Sequence, residues 1–487
     1  MNKILLSTFV LIFSANTYAE LTKQQRERAV ERLDDRRLQS EYEMKEPERP
    51  KVSTSQSAAA AKENSISMSK EELANHPDLV IRALIPAVMQ RNADNVALLF
   101  PIYQQIPPAF HDPLLTKWAE AILAKKAENY SQSIRLYREL VAAKPEILEA
   151  RLQLAITLFE NSELDAAEGQ FKKLRSEPYP VIQQISDDYL NAIQKRDHWS
   201  FNGGLTYLND PNINNAPKAG TTYGNWTPPK SESAQGVGFN FNIGKKWSWG
   251  NGFFNELRLD TNGKYYWNNK KYNEMSLRSS LGLGYQNAKS VFVILPFMEQ
   301  TLYAGGSSTN ETLKRFSKNR GATAEFNYWL SPKWQLNANY EYGEQRYVAR
   351  KHLNGNYHFV STSLVYLASA KQYWFGGVNY NRTSTRDADD SFLRRGVSLG
   401  WGQEWGKGLS TRISLSAAQK NYKGPMPIFN ITQRNKEYGI TSSIWHRAIH
   451  YWGITPRLTY SFTKTKSNHS FYTYDKHRVF IDLSKQF

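Results

Sequence analysis

From Trp199 onward, apolar and polar residues alternate. In the last segment Val479, Ile481, Leu483 and Phe487 share one face, interrupted by Lys485, and Arg478, Asp482, Ser484 and Gln486 share the other. The segment before it sets Trp452, Ile454, Leu458, Tyr460 and Phe462 against Thr455, Arg457, Thr459, Ser461 and Thr463. A period of two marks strands with unlike environments on their two faces. The pattern predicts fourteen strands, beginning near Trp199, Gln235, Gly252, Asn273, Lys289, Ser317, Lys333, Gly355, Lys371, Phe392, Gly408, Gln433, His450 and Tyr474. Their connections alternate in length. Short ones fall at Trp247–Asn251, Asn287–Ser290, Ser331–Lys333, Ser369–Lys371, Gly406–Gly408 and His446–His450. Longer ones fall at Asp210–Ala234, Trp267–Tyr272, Gly305–Phe316, Arg346–Asn354, Thr383–Ser391, Lys423–Thr432 and Lys466–Thr473. Roughly 21 residues per strand and connection suits a transmembrane barrel, with short turns inside and long loops outside.

Between residues 71 and 197 the period is helical. Apolar positions recur at three and four in Val80, Ile81, Leu84, Ile85 and Val88, and in Trp118, Ile122 and Leu123. Proline-bearing breaks at Pro107-Pro108, Pro113, Pro145, Pro178 and Pro180 separate the segments. Ala121 and Ala155, Tyr130 and Leu164, Ser133 and Ala167, Tyr137 and Phe171, and Leu140 and Leu174 are each 34 residues apart. That spacing, with small residues where helices cross and a proline closing each copy, is the tetratricopeptide pattern. Stacked helix pairs of this kind present a concave surface to other polypeptides. The fold class is therefore α+β multidomain, a helical repeat domain (71–197) followed by a 14-stranded antiparallel barrel (198–487).

The N-terminus sets the compartment. Residues 1–19, MNKILLSTFVLIFSANTYA, carry Lys3, an apolar run from Ile4 to Phe13 and a small residue at Ala19, the features of a cleaved export signal. Residues 20–70 are charged and then Ser/Ala/Lys-rich, too poor in apolar surface to form a core, and read as a tether. The chain has no cysteine, which excludes disulfides, thiolate metal sites and Cys-anchored lipidation. Its formal net charge is +17, divided unevenly: residues 20–197 hold 25 Lys+Arg against 28 Asp+Glu, and residues 198–487 hold 36 against 17. Export argues against reading this basic half as a nucleic-acid binder.

The joined architecture resembles the surface lipoprotein assembly modifier family, Slam. The resemblance is carried by AEAILAKKAENYSQSIRLYRELVAAKPE and LFENSELDAAEGQFKKL in the repeats and by SNHSFYTYDKHRVFIDLSKQF at the C-terminus, and it spans roughly residues 75–487. It implies a Gram-negative outer-membrane barrel with periplasmic repeats that moves client proteins to the surface. The clients implied are surface lipoproteins, or secreted iron- or haem-binding proteins. It implies neither catalysis nor a cofactor. A passive porin with an accessory domain is the alternative from another class.

Candidate chemistry is sparse. His446 and His450 sit in a short connection, and Asp387, Asp389 and Asp390 lack the glycine and terminal glutamate of an EF-hand loop, so no metal site is expected. No nucleophile elbow or phosphate-binding loop is present. Opposite the lipid-facing side, the strands carry Arg258, Arg278, Arg394, Arg412, Arg457 and Arg478, with Glu256, Asp260, Glu404 and Asp482 as acids. These arginines are the expected client path, in tension with a purely structural role in the barrel interior. Loop residues Lys314, Arg315, Lys318, Arg350 and Lys351 are placed to face lipopolysaccharide, and the terminal strand to be read by the barrel assembly machinery. Pro296 and Pro456 fall within strand patterns, where each implies a bulge, a kink or a strand boundary elsewhere.

Overall fold

The computed structural model describes residues 68–487 apart from 198, 223, 225–226, 307–310, 428, 453 and 487. The expected signal peptide and nearly all of the tether lie outside the described residues, as does Phe487.

The described chain begins with eight helices: α1 (Lys70–Ala74), α2 (Pro77–Met89), α3 (Ala93–Tyr103), α4 (Pro113–Lys126), α5 (Tyr130–Ala143), α6 (Leu148–Glu160), α7 (Leu164–Arg175) and α8 (Pro180–Arg196). Three helix hairpins, α2–α3, α4–α5 and α6–α7, turn in the same way. Arg91, Glu128 and Ser162 adopt φ of 59°, 60° and 63°. The next amide in each then reaches five residues back: Asn92 to Ala87 O at 2.9 Å, Asn129 to Ala124 O at 2.8 Å and Glu163 to Leu158 O at 2.9 Å. This left-handed stop satisfies carbonyls that a helix end leaves open. Ala121, Ala155, Ser133, Ala167, Tyr137, Phe171, Leu140 and Leu174 are all buried, so the 34-residue period is the period of the core. At its centre lies Gln153, buried among three hairpins. Its Oε1 accepts from Trp118 Nε1 at 2.8 Å and Tyr137 Oη at 2.7 Å, and its Nε2 donates to Val88 O at 2.9 Å.

The barrel comprises β1 (Trp199–Asp210), β2 (Ala234–Ser248), β3 (Phe253–Tyr266), β4 (Glu274–Gln286), β5 (Ser290–Tyr303), β6 (Lys314–Ser331), β7 (Trp334–Tyr347), β8 (Gly355–Ser369), β9 (Gln372–Thr385), β10 (Phe392–Glu404), β11 (Leu409–Pro425), β12 (Thr432–His446), β13 (Arg457–Ser467) and β14 (Tyr474–Gln486). Every neighbour is antiparallel, and β14 closes on β1. Closure leaves no edge, as crossing a membrane with strands requires. Leu205 and Tyr207, Leu281 and Leu283, Val397 and Leu399, and Ile413 and Leu415 are exposed on the outer face at every second position. Exposed Trp199, Trp247, Trp249, Trp334, Trp374 and Trp405 all stand at the end bearing the short turns, the level at which aromatic rings meet the membrane interface.

Two strand starts differ from the pattern. β6 begins three residues earlier than Ser317. β13 begins at Arg457 rather than His450, and Tyr451 and Ile454 pair with each other in an isolated bridge outside the sheet. The expected His446–His450 connection is therefore twice as long, and Trp452 and Ile454 are not strand residues. Pro456 sits just before β13. Pro296 sits inside β5, facing Ala322 of β6 without a register shift. On its β4 side the pairing is interrupted between Ser280–Phe297 and Leu283–Ile294, but the register is kept. There the backbones close up at Gly282, where an added Cβ would lie 1.9 Å from Ile294 O.

The outer end is stitched. Four loops end on a side chain that caps the preceding strand: Tyr266 N donates to Asn273 Oδ1 at 2.6 Å, Tyr347 N to Asn354 Oδ1 at 2.7 Å, Thr385 N to Ser391 Oγ at 2.9 Å, and Ser467 N to Thr473 Oγ1 at 3.0 Å. Small apolar cores lie beside them: Ile213, Ala234, Tyr266 and Tyr272; Tyr303, Phe316, Tyr347 and Leu353; and Met426, Phe471 and Tyr472.

Candidate functional site

The inward face of the barrel divides into two walls of different chemistry. Along β3–β8, charges are consumed by one another. Arg258 forks onto Glu325 at 2.7 and 2.9 Å and also reaches Glu256 at 2.8 Å. Arg278 donates to Thr323 at 2.7 Å and Glu341 at 3.0 Å, with its guanidinium 3.6 Å above the Phe297 ring. Tyr357 donates to Glu341 at 2.5 Å and accepts from Asn319 at 2.8 Å. The Tyr357 ring lies across Gly343, where an added Cβ would be 2.4 Å away, so a side chain there would push the tyrosine off its carboxylate. Because Arg258 and Arg278 each bind a carboxylate three strands away, they act as struts across the curve of the wall.

The other wall, β9–β14 with β1–β3, encloses a cavity of about 370 Å³. Arg394, Arg412, Arg457, Arg478, Lys264, Lys420 and Lys464 line it, against Asp210, Glu437 and Asp482. The remainder of the lining is rich in Ser, Thr and Asn, including Thr206, Ser414, Ser443, Thr459 and Asn240. Arg394 is tied to Glu437 at 2.7 Å and Asn379 at 3.0 Å. The Arg412 guanidinium stands 4.9 Å from the Phe375 ring centre, and that of Arg457 stands 4.5 Å from Trp445. The buried Nε of Arg478 has no hydrogen-bond partner among the described residues. An excess of cations in a polar, partly enclosed space attracts anionic groups.

Of the six arginines singled out by alternation, Arg394, Arg412, Arg457 and Arg478 meet in this cavity, and Arg258 and Arg278 lie in the braced wall. The sequence reading missed the partners Glu325, Glu341 and Glu437 and the cations Lys264, Lys420 and Lys464. Parity held the signal for two of the cations: Lys264 falls in step with Arg258 and Asp260 on β3, and Lys420 with Arg412 and Ser414 on β11. Glu404 is turned to the inner rim, where it pairs with Arg447 at 3.0 Å.

The remaining candidates lie away from the lumen. Carboxylate oxygens of Asp387, Asp389 and Asp390 come within 4.8 Å of one another on the outer rim, with His352 Nε2 4.0 Å from Asp390. His446 and His450 are engaged separately, His446 Nδ1 accepting from Ala448 N at 3.1 Å and His450 Nδ1 meeting Thr455 Oγ1 at 2.9 Å.

The inner mouth carries the repeats. β1 follows α8 after two residues, and the Asp197 carboxylate between them accepts from Ser248 N and Oγ, each at 2.9 Å. Its carbonyl accepts from Lys245 Nζ. The left-handed turn of α4–α5 adds an ion pair, Glu128 to Lys289 at 2.7 Å, and Asn161 in the turn of α6–α7 accepts from Ala288 N at 3.3 Å. Two helix-hairpin turns thus rest against the β4–β5 turn, while the chain crossing is fastened to β2. Nearby, burial first, then the charges of Glu168 and Asp197, raise the Asp165 carboxyl above the usual carboxylate range.

Comparison with known proteins agrees with this construction. Residues 199–487 match the family model described as surface lipoprotein assembly modifier, and residues 66–171 match the model of its N-terminal TPR repeats. Surface lipoprotein assembly modifier 1 of Haemophilus influenzae is 50% identical over 87% of each chain. The surface lipoprotein assembly modifier of Pasteurella multocida is 43% identical over 90% of this chain and 89% of its own. The hemophilin secretion modulator of Acinetobacter baumannii is 23% identical over 85% and 86%. The closed barrel with its interfacial tryptophans is an outer-membrane protein of the transport type, and its repeats stand in the periplasm, at the end of the short turns. The chain belongs to the surface lipoprotein assembly modifier family.

Proposed function

We propose that this protein carries client polypeptides, principally surface lipoproteins, across the outer membrane. The repeat domain (71–197) receives the client in the periplasm and the barrel (198–487) passes it outward. The observation that carries this reading is the fastening of a polypeptide-binding scaffold to the inner mouth through Asp197 and Glu128. A simple pore has no use for such a scaffold. The cation-rich wall supplies a path for an acidic, extended segment of the client, with Arg412, Arg457 and Arg478 facing it, and no catalytic step or cofactor is needed. Assembly of the barrel itself falls to the machinery that reads its terminal strand, and Lys314, Arg315, Lys318, Arg350 and Lys351 serve contact with lipopolysaccharide.

The test removes the repeats. Lipoproteins labelled metabolically with an alkyne fatty acid, then biotinylated on intact cells, report surface display. Deleting the whole gene should remove a set of doubly labelled proteins, and deleting residues 71–197 should remove the same set while the barrel stays inserted. Display undiminished without the repeats would refute the receptor role. Similarity to the hemophilin secretion modulator favours a second reading, in which a haem- or iron-binding client is released rather than retained. Culture supernatants of the same strains separate the two.

A further inference from the structure

Thirteen of the fourteen strand ladders join strands consecutive in the chain, and one does not. β1 and β14 meet only because the barrel closes, so this ladder alone can part along its whole length without straining a hairpin turn. Among the described residues it is also the shortest. β14 faces β1 over eight positions, from Asn202–Gln486 to Asn209–Val479, and faces β13 over nine, from Arg457–Asp482 to Thr465–Tyr474. The other twelve ladders run to eleven or more. The shortness on the β13 side has a cause in the sequence. Pro456 has no N–H to offer and β13 starts only at Arg457, so among the described residues β14 beyond Asp482 pairs with β1 alone.

Side chains complete the closure. Thr206 Oγ1 donates to Asp482 at 2.8 Å, Lys476 pairs with Asp210 at 3.1 Å, and Lys218 pairs with Asp475 at 3.2 Å. These are exchangeable polar ties, where other strand pairs have continued backbone ladder. Asp197 meanwhile anchors the start of β1 to β2. If the seam opens, β1 therefore stays with β2, and β14 is the strand that gives.

What lies on either side of the seam differs. Inward are Thr206 and Asp210 of β1 and Arg478 and Asp482 of β14, which line the cation-rich cavity. Outward are Leu205 and Tyr207 of β1 beside Ile481 and Leu483 of β14, exposed toward lipid. A polypeptide bearing acyl chains poses opposite demands on these two environments. Its backbone and charges suit a wet, polar lumen, whereas each methylene taken from lipid into that lumen is unfavourable.

We infer that the β1–β14 seam is a lateral slot that lets the acyl chains of a lipidated client remain in the hydrocarbon while its polypeptide passes along the cavity behind. The inference rests on the proposed function, and names lipidated polypeptide as the ligand of the seam.

The native absence of cysteine gives a direct test. Leu205→Cys with Leu483→Cys places facing cysteines across the seam, and Leu399→Cys with Leu415→Cys does the same across β10–β11. Residues directly opposed on antiparallel strands are within disulfide reach. Display of the doubly labelled lipoproteins is compared in oxidised and reduced cells, with cross-linking followed on non-reducing gels. The seam lock should bring display down to the level of the gene deletion and release it on reduction, while the control lock leaves it at the parent level. Parent-level display with the seam locked would overturn the inference, as would equal loss from both locks. Should the reduced seam variant itself fail to insert, Tyr207→Cys with Ile481→Cys takes its place. A deletion strain that loses no labelled protein defeats the proposed function, an outcome distinct from failure of the seam alone.

Discussion

Gln153 is expected to hold the repeat domain together, and Gln153→Leu measures by how much. Leucine keeps most of the volume and removes the three hydrogen bonds to Trp118, Tyr137 and Val88, together with a longer one from Nε2 to Glu149 at 3.4 Å. Trp118 Nε1 and Tyr137 Oη are then left as buried donors without their acceptor, since both bonds end on the one glutamine oxygen. Each orphaned donor costs about 1–3 kcal/mol. The Val88 carbonyl loses less, because it also accepts from Arg91 N at 3.2 Å. Better burial of leucine offsets about 1 kcal/mol. The net loss is about 2–4 kcal/mol, which for a domain of this size lowers the melting temperature by roughly 6–15 °C. The readout is helical circular dichroism at 222 nm of the full chain in detergent, where the strands contribute little. Tyr137→Phe in the same background removes one orphan, so the double variant should recover about 1 kcal/mol relative to Gln153→Leu alone. A loss below about 1 kcal/mol, or a double variant less stable than Gln153→Leu, would refute the argument.

Other predictions follow from the two walls, the inner mouth and the topology. Arg258→Gln with Arg278→Gln should destabilise the folded barrel by roughly 1–3 kcal/mol per broken strut, less than for a fully buried pair, and so lower the temperature at which it loses its fast gel mobility. Arg412→Gln with Arg457→Gln and Arg478→Gln should leave that temperature nearly unchanged yet reduce client display at equal barrel levels; unchanged display would remove the electrostatic path. Asp197→Ala should loosen the fastening of the repeats to β2, seen as faster hydrogen exchange at the Ser248 amide with the helices still protected. Asp165 has a raised pKa, so the folded chain holds this proton more tightly than the unfolded one, and its ionisation takes stability away as pH rises above about 4. Asp165→Asn should accordingly melt higher than the parent at pH 7 and lose that advantage near pH ~3.5. In intact cells a thiol reagent that cannot cross the membrane should label Ser231→Cys and spare Lys333→Cys.

Alternation was enough to place most of the barrel, because each strand separates lipid from a polar interior at every step. It misled at β13, where Trp452 and Ile454 continue the alternation although the chain has left the sheet; Trp452 there has φ of 51°. An isolated pattern cannot tell a strand from a turn that exposes residues of the same kind. The 34-residue period located α4–α7, whereas α2–α3, helical by its apolar spacing, stood outside that period because its left-handed Arg91 lies 37 residues before Glu128 and breaks the count. Within the site, sign and parity identified the arginines but not their partners. Arg258 meets Glu325 only because the sheet curves through two intervening strands, and curvature leaves no mark in a single strand's sequence. Arg457 and Arg412 look alike in sequence to Arg278, yet Arg278 lies across Phe297 and reaches Glu341, whereas Arg412 and Arg457 stand beside the Phe375 and Trp445 rings.

The stitched outer rim bears on how this surface can change under selection by antibodies or phage. Each of the four short outer loops is held by a side chain that caps its own strand, and three of them also by an aromatic or leucine in a small core. Replacing Asn273, Asn354, Ser391 or Thr473 unties a strand end before it alters a surface. The freedom to vary is therefore concentrated in the long connection between β1 and β2, where 23 residues follow Asp210 and exposed Gly220 and Ser231 contribute little to the wall. Diversity among circulating variants should gather there, while the rest of the rim stays nearly constant and offers the steadier target for a vaccine.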